Sequence, residues 1–330
     1  MLNKKMLDWL LEPENAGVRY LAMRNLVASD QVDLMEAKKT AHIAGPIATV
    51  LANMDKQGYW CHPGPGYNPK YSGTVWSIIL LSQLGASIEM DGWLKTAVFY
   101  LLDQALTKHG QFTMNGLPSG TIDCLQGNLC AALFDLGVED ALLDKAFEWM
   151  ARSVTGESIA SMEDKTAAIR YYSGKCGPGF ACGGNNKAPC AWGAVKVMLA
   201  FSKLPPEKRT PLIEKAIKKG VAFLFSTDPA KADYPCGYGN KPSGNWWKFG
   251  FPVFYVTDLL QNVEALVNLG YGKDTRLVNA LKIIREKQDV DGRWSLEYDY
   301  NGKTWVDFGI KKQPNKWVTL RALRVLKAAA

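Results

Sequence analysis

Histidine is scarce in this chain: among 330 residues there are three, His42, His62 and His109. That leaves few candidates for a histidine metal site, and His62 with a cysteine from another loop as the candidate proton-sharing pair. Period-two alternation is nearly absent, which excludes a sheet-dominated fold. No run of about 18 uncharged apolar residues occurs, so no transmembrane helix is expected. The start, Met1 to Trp9, enters an amphipathic pattern without the apolar core of a secretory signal. The chain has no Gly-x-x-x-x-Gly-Lys-Ser/Thr loop and no Gly-x-Ser-x-Gly elbow, and no strand precedes the glycine-rich stretch 174–184. Nucleotide hydrolysis, an α/β-hydrolase and dinucleotide binding are therefore disfavoured. The seven cysteines lack Cys-x-x-Cys pairs. An odd number at irregular spacing reads as reduced thiols in a cytoplasmic protein. No cofactor is expected, and zinc is the one metal these thiols bring into consideration. The net charge of +7 is spread along the chain rather than clustered, so no nucleic-acid partner is expected. A peripheral membrane contact and the oligomeric state stay open.

What the chain does contain is a repeated unit. Apolar helices end at Leu84-Gly85, Leu136-Gly137 and Leu269-Gly270, and Gly-x-aromatic turns recur at Gly58/Trp60, Gly110/Phe112 and Gly292/Trp294. Between them, one class of helix is apolar on most sides, as in Val75 to Leu84 and Cys190 to Phe201. The other is one-sided, as in the stripe Ile213, Ala216, Ile217, Gly220, Val221 and Leu224. Alternation of the two predicts an all-α fold, an inner ring of helices inside an outer ring. The expected pairs are 15–28 with 31–53, 74–85 with 92–108, 121–137 with 139–153, 188–203 with 207–226, and 253–269 with 274–288. Helices at 2–11 and 315–328 would form a sixth pair and close one α/α toroid spanning 1–330. The long connections 56–73, 154–187, 227–252 and 295–314 are rich in glycine, proline, cysteine and aromatic residues. They read as ordered caps over one mouth of a central cavity.

The segment Gln288-Asp289-Val290-Asp291-Gly292-Arg293-Trp294 resembles the Gln-Trp repeat of squalene and oxidosqualene cyclases. The alternation of helices is similar to the toroid that those cyclases share with protein prenyltransferase β subunits. The resemblance implies a hydrophobic, isoprenoid-like substrate in an aromatic-walled cavity. The cyclases' acid motif ends Asp-Asp-Thr-Ala, and only Asp123 carries over here, with Cys124 beside it. The prenyltransferases' zinc histidine has no counterpart on the late helices.

Buried helix starts present N–H groups and positive dipole ends to the cavity mouth. Asp123 and Asp258 stand at two of them, as caps or as desolvated general acids. The loop Tyr171 to Cys190 holds Cys176, Cys182 and Cys190 among glycines and prolines. With Cys124 these are candidate assisting thiols, or inert buried ones. Cofactor-free terpene-alcohol dehydratases on a similar helical barrel resemble this combination of cysteines and an acid. His62 is a further candidate acid–base group. Trp76, Tyr171, Tyr172, Trp192, Trp246, Trp247 and Tyr255 are candidates for substrate or cation contacts, and Lys248 and Lys316 for an anionic group. Two functions follow: acid–base chemistry as a cyclase, isomerase or dehydratase, or a non-catalytic toroid binding a lipid or peptide. A zinc prenyltransferase is a third.

Overall fold

The three Gly-x-aromatic turns fold alike in the computed structural model, which describes residues 4–239 and 242–330. Gly58, Gly110 and Gly292 have φ of 95°, 89° and 84°, where only glycine is free of strain. Their N–H groups donate to the carbonyls of Asp55, Thr107 and Asp289 at 2.9–3.0 Å. Those three residues donate in turn to the carbonyls of Tyr59, Gln111 and Arg293 at 2.8–2.9 Å. The aromatic residue that follows is buried. Its backbone N–H donates to a side chain of the next buried helix: Trp60 to Thr74 Oγ1 at 3.1 Å, Phe112 to Gln126 Oε1 at 2.8 Å, Trp294 to Thr319 Oγ1 at 2.9 Å. The indole N–H groups of Trp60 and Trp294 reach ten residues back, to the carbonyls of Val50 and Ile284.

A fourth, degenerate copy has no glycine. The Tyr234 hydroxyl donates to the carbonyl of Leu224, also ten residues back, at 2.7 Å. Ala232 occupies the glycine's position at φ 55°. The side chain of Asn262, on the following buried helix, donates to the Tyr234 hydroxyl at 3.4 Å.

Between the turns lie thirteen α-helices among the described residues. They are α1 Lys4–Leu10, α2 Ala16–Asn25, α3 Gln31–Ile43, α4 Pro46–Ala52, α5 Thr74–Gln83, α6 Gly92–Ala105 and α7 Asp123–Asp135. There follow α8 Ala141–Thr155, α9 Ala191–Lys203, α10 Pro211–Leu224, α11 Leu259–Leu266, α12 Val278–Glu286 and α13 Lys316–Ala328. Among the described residues no strand forms, only isolated bridges. The expectation of an all-helical fold is met.

Several boundaries differ from expectation. The segment 31–53 is two helices, because Gly45 at φ 77° and Pro46 break it. Helix α11 starts at Leu259 rather than 253. Gln83 takes both the N–H and the carbonyl of Val253 at 2.8 Å, which holds that backbone outside any helix. The helix expected at 2–11 is seen from Lys4, and its residues 2 and 3 lie outside the described residues, as do 240 and 241 of the third connection.

Helices α5, α7, α9, α11 and α13 are buried over most of their length, whereas α6, α8, α10 and α12 bury one face. Helix α7 packs between α5 and α9, α9 on α11, α11 on α13, and α13 on α2. Helices α3, α6, α8 and α12 pack on α2, α5, α7 and α11, while α10 packs on both α8 and α9. Where α7 meets α9, a methyl group at Gly127 would collide with the backbone of Lys196 and Val197. The missing side chain therefore sets the closeness of that pair.

Gln126 ties one turn to two helices. Its oxygen accepts the Phe112 N–H, and its amide donates to the carbonyls of Gly110 at 2.8 Å and Ala146 at 3.0 Å. Gln126→Leu strands three buried backbone groups, each costing about 1–3 kcal/mol. The urea midpoint is expected to fall by the equivalent of about 3 kcal/mol or more, and an unchanged midpoint would refute the role given to this side chain.

Candidate acid–thiol site at the start of helix α9

A short hairpin delivers the thiols. Cys190 N–H donates to the Phe180 carbonyl at 2.9 Å and Cys182 N–H to that of Ala188 at 3.2 Å, on either side of the antiparallel pair Ala181 and Pro189. Alternation then puts Cys182 and Cys190 on the same face. Asn185 clamps the hairpin to the next connection. Its amide donates to the carbonyls of Pro189 at 2.9 Å and Pro235 at 3.0 Å, and its oxygen accepts the Gly237 N–H at 3.0 Å. Cys190 is the residue that caps α9.

Asp123, the first residue of α7, comes to this face from the other side. A Cβ on Gly193 would lie 3.4 Å from the Asp123 Cβ and 4.0 Å from the Cys190 Cβ, so the two converge where Gly193 has no side chain. The Ser153 hydroxyl donates to Asp123 Oδ1 at 3.1 Å, and the Tyr171 hydroxyl donates to the Ser153 carbonyl at 2.8 Å. Burial pushes the Asp123 carboxyl up to about 8, with the Cys182 charge adding and the Ser153 bond opposing. Asp123 thus keeps its proton at neutral pH.

The thiols divide in character. Burial pushes Cys124 up to about 12 and Cys176 well above the usual thiol range, and the Asp123 charge adds to both. Cys182 goes the other way, down to about 6. The hydrogen bond from Cys190 is the main cause, with the N–H groups of Gly184 and Asn185 and the charge of Lys175 helping against burial. Cys190 is raised, because it donates to Cys182 and is buried.

Beside this cluster lies a mainly apolar cavity of about 230 Å³, lined by Cys190, Ala191, Trp192, Tyr234, Cys236 and Trp246, with Gly184 and Asn185 at its edge. Trp192 links it to a second aromatic group, its ring 6.2 Å from that of Tyr255. There Tyr71 packs on Trp76, Phe254, Tyr255 and Tyr300 with ring centroids 4.5–6.4 Å apart. Lys70 Nζ sits 4.8 Å over Tyr255. Tyr67 packs on Trp76 with ring centroids 5.1 Å apart, and burial pushes its hydroxyl up to about 12.

The remaining expected site residues are engaged differently. Asp258 caps α11 through the Gln261 N–H at 2.8 Å and holds Arg321 in a two-pronged ion pair at 2.9 Å, so it serves the fold rather than the thiol cluster. His62 is exposed, and its ring bonds no other described residue. Lys248 is exposed and bonded to Asn245 at 3.4 Å. Lys316 pairs with Glu12 at 2.5 Å, tying the N-terminal segment to α13. Tyr172 bonds the Ala168 carbonyl and carries Arg170 over its ring. Trp247 and Trp246 donate to the carbonyls of Ala230 and Pro229. Only Trp246 of these two lines the cavity.

Sequence reading overlooked Lys196. It lies fully buried on α9, donates to Gln261 Oε1, and is pushed down to about 7 by burial, with Asp258 opposing and Arg321 adding. A lone lysine inside Ala191 to Phe201, otherwise apolar, is the signal that was there. Ser153, Tyr67, Tyr71 and Cys236 carried no such signal. Among the described residues, no group of three or more His, Cys, Asp or Glu side chains is arranged to hold a metal, and no helix is long and apolar enough to cross a membrane.

No family model and no curated protein matches the chain. Among solved structures it is similar to a protein from Actinoplanes at 12% identity, with 97% of this chain and 89% of that chain covered and a TM-score of 0.43. It is also similar to the Lin0763 protein from Listeria innocua at 15% identity, with 100% and 85% covered and a TM-score of 0.45.

The two buried ionisable groups have opposite pH signatures. Asp123 is raised in the fold, so its contribution is intact below about 4 and lost as pH rises towards 8. Asp123→Asn is expected to match the parent near pH 4 and exceed it by roughly a few kcal/mol at pH 8. Lys196 is depressed, so stability is lost as pH falls from about 10.5 towards 7. Lys196→Met is expected to stabilise the protein at pH 7 and to lose that advantage near pH 10. Denaturant midpoints across pH measure both, and parallel profiles for parent and variants would refute these assignments.

Proposed function

We propose that the chain is a six-pair α/α toroid and works as an enzyme on a small hydrophobic, isoprenoid-like molecule by acid–base chemistry. The ring is supported by the order of packing, which runs from α5 through α7, α9, α11 and α13 to α2. Gly85, just past α5, lies against Tyr20 and Leu21 of α2 and completes the circuit. Helix α1 packs on α13 and α2, as the partner of a sixth pair would.

One observation carries the function: the buried carboxyl of Asp123 converges with Cys190 beside Gly193, behind an apolar cavity that Cys190 lines. Asp123 is the general acid. Cys182 and Cys190 pass its proton on, and Cys190 delivers it, being the member of the pair that lines the cavity. Trp192, Trp246 and Tyr234 supply ring faces that favour developing positive charge. Cys124 and Cys176, raised by burial, stay neutral and keep the site dry. A proton delivered to a double bond or an alcohol gives isomerase, cyclase or dehydratase chemistry, with no cofactor required. A cavity of about 230 Å³ suits a short isoprenoid better than a long polyene. The aromatic rings of Tyr71, Phe254 and Tyr300, which fill the space beside Trp76, favour the alternative of a binding toroid without turnover.

The test is extraction of protein isolated from its native source, then incubation of the recovered molecule with fresh protein in deuterated buffer near pH 7. A hydrophobic molecule that gains carbon-bound deuterium with the parent, and at least about a hundredfold more slowly with Asp123→Asn, supports the enzyme. A bound molecule that gains no deuterium leaves the binding toroid. Equal exchange by the variant removes Asp123 as the acid.

A further inference from the structure

We infer that the ring faces of Tyr67 and Tyr255 form a binding site for a small methylated ammonium compound, and that Lys70 is its built-in competitor. This inference does not rest on the acid–base reading. The Lys70 ammonium lies 4.8 Å from the centre of the Tyr255 ring and 5.8 Å from that of Tyr67. Both distances fall within the roughly 6 Å over which a ring face attracts a cation. Lys70 is exposed and pairs with no carboxylate among the described residues. Holding a long side chain in one place costs rotamer entropy, so its position over two rings marks a spot that favours positive charge.

The two walls are held by other groups, not by Lys70. The buried Trp76 donates its indole N–H to the Tyr67 carbonyl at 2.7 Å, and its ring packs 5.1 Å from that of Tyr67. Tyr255 stacks on Tyr71, with centroids 6.4 Å apart and planes 9° apart, and packs on Trp192 at 6.2 Å. Both walls are half-buried, so each keeps an accessible surface while its ring stays fixed. Walls fixed in advance lose little freedom when a ligand arrives. The chemistry of the walls selects the ligand. A bare ammonium is compact and strongly hydrated, and ring faces replace few of its hydrogen bonds. A methylated ammonium has fewer N–H groups to lose, and its methyl groups bury apolar surface on the same rings. Trp192 also lines the apolar cavity of about 230 Å³, which suits the body of a small molecule. Lys70 and such a ligand compete for the same faces, so the apparent affinity falls with the fraction of molecules in which Lys70 is seated.

The experiment titrates the intact protein with choline and follows the choline N-methyl proton resonance. A methyl group held over a ring face moves upfield. Lys70→Ala is expected to bind choline about tenfold more tightly than the parent, because the competing cation is gone. Lys282→Ala removes an exposed charge from α12 instead and is expected to match the parent. The uncharged carbon analogue of choline, in which carbon replaces nitrogen, is expected to bind Lys70→Ala about tenfold more weakly than choline does. Equal affinity of the parent and Lys70→Ala would overturn the proposal, as would equal tightening by Lys70→Ala and Lys282→Ala. Equal binding of choline and its carbon analogue, or an N-methyl resonance that does not move upfield, would overturn it too. Carbon–deuterium exchange reads the acid–base reaction separately, so failure of one leaves the other standing.

Discussion

The fold depends on one recurring contact, a buried backbone N–H satisfied by a polar side chain from the next helix. Turning the chain between helices buries the aromatic residue after each Gly-x step. That residue's N–H cannot reach water, and left unpaired it would cost about 1–3 kcal/mol. Thr74, Gln126 and Thr319 each meet one such group. Each bond joins the end of one helix pair to the beginning of the next, so the register of successive pairs is set by hydrogen bonding as well as by apolar packing. The Tyr234 turn reaches the next helix differently, through its hydroxyl and the Asn262 amide, while its backbone N–H bonds the Ala232 carbonyl.

The same close packing creates the unusual chemistry. One glycine, Gly127, leaves room for α7 and α9 to approach at backbone distance. That approach brings the start of α7, with Asp123, against the start of α9, with Cys190. Solvent is excluded there, and exclusion is the largest cause of the raised pKa of Asp123, Cys124 and Cys176. Cys182 shifts the other way, lowered mainly by the neighbouring Cys190 thiol against the effect of burial. Four sulfurs and a carboxyl in one neighbourhood thus have different proton affinities. Lys196, one turn further along α9, is subject to the same exclusion with the opposite sign, which lowers its pKa.

Asp258 shows how similar local sequence leads elsewhere. Like Asp123 it stands at the start of a buried helix, and both are mostly removed from solvent. Arg321 reaches Asp258 from α13 and donates two hydrogen bonds. Asp123 receives one from an uncharged serine. The difference between a structural ion pair and a candidate acid therefore lies in a partner from another helix.

Helical periodicity, the Leu-Gly stops and the Gly-x-aromatic turns determined by themselves the all-helical class, the alternation of fully and partly buried helices, and the places where most helices end. These are local properties: side-chain period, the tolerance of glycine for positive φ, and the apolar character of one face or all faces. The crowding of cysteines before Cys190 was legible too, along with Asp123 at a helix start. Which of them meet was not, because residues 123, 153, 176, 182 and 190 come together only through the α7–α9 contact and the Asn185 clamp. The place of Tyr71 and Phe254 among the buried helices, the pairing of Asp258 with Arg321, and the separation of His62 and Lys316 from the thiols were likewise decided by tertiary structure. Each depends on which distant group fills a neighbour's hydrogen-bonding or packing needs, and a one-dimensional pattern contains no record of that distance.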